Sequence, residues 1–89
     1  MSERQSKLSS LIARLSGRQL ADGLCRKWGY REAHQMGSHI VLETEQPKPQ
    51  RIAIPAHKTL KVGTLNAILR AVSSHKGTSK QAILDSICG

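Results

Sequence analysis

The sequence predicts a layered α+β domain: a three-stranded antiparallel sheet with helices on one face, in the order α-β-β-β-α followed by a short terminal helix. Three observations predict it. Leu20, Leu24 and Trp28 recur every fourth residue, with Ala21 and Cys25 beside them; from Tyr30 the period falls to two; and Leu65, Ile68, Leu69 and Val72 return to helical spacing. A chain of 89 residues supplies one core and one domain, and at 38% hydrophobic and 22% charged it is too apolar to stay disordered.

Residues 1–15 read as a partly helical extension, since Leu8, Leu11, Ile12 and Leu15 have helical spacing but no cap precedes them. Residues 16–89 form the domain proper. Ser16-Gly-Arg-Gln19 has capping-box form, so the first helix should begin there and end at Gly29. Tyr30 to Gln35 and Ser38 to Glu45 read as strands joined through Met36-Gly37, where glycine can take the positive φ of a tight hairpin.

In the second strand Ile40 and Leu42 share one face, so alternation puts His39, Val41 and Glu43 on the other. Gln46-Pro-Lys-Pro-Gln50 reads as a loop, because proline cannot donate to a ladder, and Arg51 to Pro55 as the third strand, with Ile52 and Ile54 inward. A basic connection, Ala56 to Gly63, leads to Thr64, the expected N-cap of the next helix. Thr78-Ser-Lys-Gln81 repeats the capping-box form before Ile83, Leu84 and Ile87.

The charge balance points to a polyanionic partner. Fourteen Lys+Arg against six Asp+Glu give a formal +8, and between Gln46 and Leu84 there is no acid while Lys48, Arg51, Lys58, Lys61, Arg70, Lys76 and Lys80 fall there. Nucleic acid fits this distribution; a merely soluble basic surface is the alternative. Trp28 and Tyr30 are the two aromatics, too few for a base-stacking platform, so recognition would lean on phosphates and shape. Cys25 and Cys88 are far apart and make no CxxC or Cys/His cluster, which argues against a zinc site and for a reduced, cytoplasmic setting. The apolar stretch at Leu8 is too short for a membrane span.

Three motifs in order then narrow the reading. Gly37-Ser38-His39 on a hairpin, Ile54-Pro55-Ala56-His57-Lys58, and Lys61 to Arg70 (KVGTLNAILR), with Ser16-Gly17-Arg18 opening the first helix, resemble the HicA (YcfA-like) toxin family. The resemblance covers roughly residues 16–84 and implies a double-stranded-RNA-binding-domain-like fold. It also implies an mRNA interferase of a type II toxin–antitoxin system that cleaves mRNA without the ribosome, needs no cofactor, and is neutralised by a HicB-type antitoxin. In that family the histidine of the Gly-Ser-His motif is catalytic; here it is His39. Three features depart from the family: the Pro-rich second hairpin loop; Met36, where members often carry a basic residue; and residues 1–15, which extend beyond the common domain.

Elementary chemistry agrees with His39 as the catalytic group. RNA is cut by its own 2′-OH once a base removes the proton and an acid helps the 5′-oxygen leave, and histidine suits proton transfer at neutral pH. The sequence does not identify a partner for His39. Lys58 and Lys61 can stabilise charge on the phosphorane, or simply form a solvated basic loop. His57 can be a second acid–base group, but reads rather as hydrogen-bonding the loop before Thr64. Ser38 and Thr64 are RNA-contact candidates, Thr64 through the amides of a helix N-terminus. His34 and His75 read as surface residues. Against the enzyme stand two other classes: a non-catalytic module that grips structured RNA, and a protein that pairs a partner strand to its sheet edge.

Overall fold

The helix expected from Ser16 forms, and both halves of its capping box are made. The structure, a computed structural model, describes residues 15–88, so the expected N-terminal helical turns lie outside the described residues except for Leu15. In α1 (Gly17–Lys27) the Ser16 hydroxyl accepts from the Gln19 N–H at 3.0 Å, and Gln19 Oε1 accepts from the Ser16 N–H at 2.9 Å. A cap of this kind stabilises a helix by about 1 kcal/mol. Leu20, Ala21 and Leu24 are buried, whereas Arg18, Asp22, Arg26 and Lys27 are exposed, which is the expected amphipathic division. Past the C-cap Trp28, Gly29 sits at a φ of 74°.

Three antiparallel strands follow in sequence order: β1 (Arg31–Met36), β2 (His39–Thr44) and β3 (Gln50–Pro55), with β2 in the centre. The hairpin turn is one residue later than expected. Met36 pairs with His39, so Gly37 and Ser38 form a two-residue loop in which Gly37 has a φ of 56° and no non-glycine residue has a positive one. Those signs fit a type II′ turn, whose twist matches the strands it joins.

A second departure is a bulge. Glu32 pairs with Leu42 and His34 with Val41, leaving Ala33 unpaired. The extra residue resets the parity of β1, so that Arg31, His34 and Met36 share the outer face.

Helix α2 (Val62–Lys76) begins earlier than expected: its N-cap is Lys61, with no side-chain cap bond, and Thr64 lies inside the first turn. The reason is packing. Leu60 is buried and its N–H donates to the Leu15 carbonyl at 2.8 Å, so the chain is anchored just before Lys61, and the Leu65 N–H reaches the Lys61 carbonyl at 2.9 Å. Anchoring outweighs the cap preference of Thr64. In α3 (Lys80–Cys88) the cap likewise shifts by one, with Ser79 Oγ, not Thr78, accepting from the Ala82 N–H at 3.0 Å.

All three helices lie on one side of the sheet. Leu20, Leu24, Ile40, Leu42, Ile54, Leu60, Leu65, Leu69, Val72 and Ile83 are sealed between them, and Leu15 joins this core. Truncating any one of the leucines or isoleucines to alanine should cost about 2–5 kcal/mol. Trp28 ties α1 to α3 by donating from Nε1 to Ser86 Oγ at 2.8 Å. Among the described residues no helix is long and apolar enough to cross a membrane.

Candidate active site

The outer face of the sheet, which no helix covers, can be written as three cross-strand rows. Met36, His39 and Pro55 form the first; His34, Val41 and Ala53 the second; Arg31, Glu43 and Arg51 the third. His39 thus stands on the central strand at the hairpin end, exposed, on the face that alternation assigned to it. Among the described residues its ring has no hydrogen-bond partner. Val41, on the same face, is only 5% exposed, because it sits in the middle of the sheet between side chains of both neighbouring strands, yet it is not part of the helix-covered core.

A web of backbone bonds draws other segments to the hairpin end. The Ala56 N–H donates to the Ser38 carbonyl at 2.6 Å, the Gly17 N–H to the His57 carbonyl at 3.0 Å, and the Leu60 N–H to the Leu15 carbonyl. The start of α1, the Gly37-Ser38 turn and the 56–61 connection are therefore one unit. Gly17 is indispensable to it: a Cβ there would lie 1.8 Å from the Pro55 carbonyl oxygen. That contact explains the glycine of Ser16-Gly17-Arg18, which propensity alone leaves unexplained.

The other proposed contact residues gather near this unit. Ser38 is exposed at the turn; its carbonyl serves the backbone, and its hydroxyl has no partner among the described residues. Lys58 and Lys61 are exposed on the connection, and Lys61 stands at the uncapped start of α2 with half-buried Thr64 three residues on. As Thr64 is not the cap, its hydroxyl is not spent on that role. The expectation that His57 hydrogen-bonds its loop through the ring is corrected: only its carbonyl is used, and the side chain is exposed. His75 is not a simple surface residue either, being half-buried with a sealed Nε2 that lacks a partner among the described residues.

The opposite end of the sheet is saturated. Glu43 accepts from Arg31 at 3.1 Å and from Arg51 at 2.6 Å, and Arg31 also reaches Glu45 at 3.4 Å. Behind them, Lys76 Nζ donates to Thr44 Oγ1 at 3.0 Å and to the Gln46 carbonyl at 2.6 Å, and lies 4.7 Å from the centre of the Tyr30 ring. Burial pushes Lys76 below its ordinary value and Tyr30 up to about 12. An open cavity of about 290 Å³ lies here, lined by Glu43, Thr44, Glu45, Pro49, Gln50 and Arg51. Its charged groups are already paired, Glu43 with Arg51 and Glu45 with Arg31.

A small basic α+β domain with an exposed histidine on the helix-free face of its sheet is thus defined. The family described as HicA toxin of bacterial toxin-antitoxin matches residues 18–73, more than half of the chain, and the chain belongs to that family. It is a toxin of a toxin–antitoxin system, and its partner is of the antitoxin kind. No curated protein and no solved structure matches it. Sequence reasoning missed the surroundings of His39: Met36, 63% exposed beside it, and Pro55 across from it are set there by the pairing register, which the bulge at Ala33 hides from simple alternation.

Proposed function

We propose that this toxin is an endoribonuclease that cuts mRNA without the ribosome and without a metal ion, using His39 to move a proton. The observation that carries the reading is the placement of His39: an unpartnered imidazole on an uncovered face, at a strand end fixed by three backbone bonds, next to an exposed lysine-bearing connection. The 2′-OH of the substrate supplies the nucleophile, so the protein needs only to bind the backbone, transfer protons and stabilise the charged phosphorane. Lys58 and Lys61 fill the last role, and Ser38 and Thr64 with the first amides of α2 hold phosphate oxygens. A HicB-type antitoxin silences the enzyme by covering this face, in the cytoplasm.

The test is to incubate the purified full chain with RNA in excess EDTA and map the ends. The reading expects new fragments with a 2′,3′-cyclic phosphate and a 5′-hydroxyl, and loss of cutting when the antitoxin is added. Salt-sensitive RNA binding with no new ends would instead mark a non-catalytic RNA-binding module, because the lysine-bearing connection serves either activity.

A further inference from the structure

One histidine cannot conveniently be both the base for the 2′-OH and the acid for the 5′-oxygen in a single displacement. We infer that His57 is the second acid–base group, an inference that rests on the nuclease reading of His39. Register brings the two residues to the same end of the sheet. His39 pairs with Pro55, and the bond from the Ala56 N–H to the Ser38 carbonyl extends the ladder one residue further. That bond makes Ser38 and Ala56 a hydrogen-bonded pair, so His39 and Pro55 form the closer, non-hydrogen-bonded kind, with Cα atoms about 4.5 Å apart. β3 ends at Pro55 and His57 follows two residues on; two residues span at most about 6.7 Å, so the Cα atoms of His39 and His57 lie no more than about 11 Å apart. A phosphodiester asks for about 9 Å between the two reacting ring nitrogens, with two hydrogen bonds of about 2.8 Å flanking attacking and leaving oxygens roughly 3 Å apart, and two imidazoles carried on Cα atoms this close can span it.

The chain spends structure on holding this position. The His57 carbonyl is gripped by the Gly17 N–H at 3.0 Å, and α1 approaches so closely that no Cβ fits at Gly17. The backbone of His57 is thereby fixed while its imidazole is left exposed, without a partner among the described residues. A purely structural histidine would use its ring; here only the peptide group is used.

The proton balance closes. One imidazole takes the proton of the 2′-OH as the O2′–P bond forms, and the other, as imidazolium, gives its proton to the 5′-oxygen as the P–O5′ bond breaks. The products are a 2′,3′-cyclic phosphate and a 5′-OH, with one proton gained and one lost by the protein and no water consumed.

The test compares the wild type, His39→Ala and His57→Ala, all as the full chain, on one RNA oligonucleotide in EDTA. A second oligonucleotide carries sulfur in place of the bridging 5′-oxygen at the cleaved bond, since a thiolate leaves without an acid. His57→Ala should keep the wild-type melting temperature and lose roughly 10²-fold in cleavage rate, and millimolar imidazole should restore part of the loss. On the sulfur substrate one variant, the one lacking the acid, should recover and the other should not. Cutting by His57→Ala within about threefold of the wild type overturns the inference while leaving the nuclease reading intact. So does a loss that neither imidazole nor the sulfur substrate relieves, whatever the melting temperature, because His57 would then serve position and not proton transfer. If the wild type cuts neither substrate, the nuclease reading fails first and the inference falls with it.

Discussion

The two ends of the central strand carry similar kinds of side chain in opposite states. At the Thr44 end the polar side chains of the strands and of the helix end behind them are engaged: Glu43 with Arg31 and Arg51, Thr44 with Gly29 and Lys76, Lys76 over Tyr30. At the hairpin end His39, Ser38 and His57 are exposed, and their backbones, not their side chains, do the structural bonding. The contrast separates two uses of polarity in one small sheet. Where polar side chains satisfy one another they hold strands and helix ends together; where the backbone alone holds the chain, the side chains remain available for a substrate.

The comparison can be broken at either end, and the expected effects differ in size. Gly17→Ala should be the most damaging change, since the added methyl meets a backbone carbonyl that cannot move aside easily. Overpacking of this sort costs about 1–3 kcal/mol or more, and by pushing α1 off the 55–57 segment it should lower RNA cutting as well as the midpoint of urea unfolding. A Gly17→Ala chain as stable and as active as the wild type would show that the hairpin end is not held by that contact.

Glu43→Ala attacks the saturated end. Arg31 and Arg51 are 58% and 67% exposed, so each ion pair is screened and contributes about 0.2–1 kcal/mol. The variant should lose no more than roughly 1–2 kcal/mol in denaturant unfolding and should cut RNA at least as fast as the wild type, since a negative charge is removed from the RNA-facing side. A large loss of cutting with little loss of stability would place substrate contacts where none are assigned.

The smallest effect concerns alkaline stability. Burial holds the Tyr30 phenol at about 12 against an ordinary 10.0, so the folded state keeps a proton that the unfolded chain gives up. The resulting stability is fully present below pH 10 and is lost as the pH rises through about 12. Tyr30→Phe should therefore flatten the fall in melting temperature between pH 10 and pH 12, while lowering it slightly at neutral pH through loss of the bond to Gln50 Oε1.

Much of this architecture is legible in the sequence because the signals are local. Ser16 and Gln19 specify the start of α1, and the change from fourfold to alternate spacing at Tyr30 specifies the move to strands. Alternation from Ile40 and Leu42 is enough to put His39 outside the core. The failures are those of long-range packing. Thr64 reads as a cap because its side chain suits one, but burial of Leu60 fixes the helix start three residues earlier. The bulge at Ala33 depends on the strand opposite it, and the approach of α1 to Pro55 that requires Gly17 and the nearness of His57 to His39 depend on partners 18 or more residues away; local periodicity displays none of these.

The account rests on an imidazole exposed at position 39, and single-turnover cleavage of RNA in EDTA by His39→Ala tests it most directly. With RNA binding and melting temperature unchanged, the rate should fall by roughly 10²-fold or more. A folded His39→Ala chain that cuts RNA at the wild-type rate would contradict it.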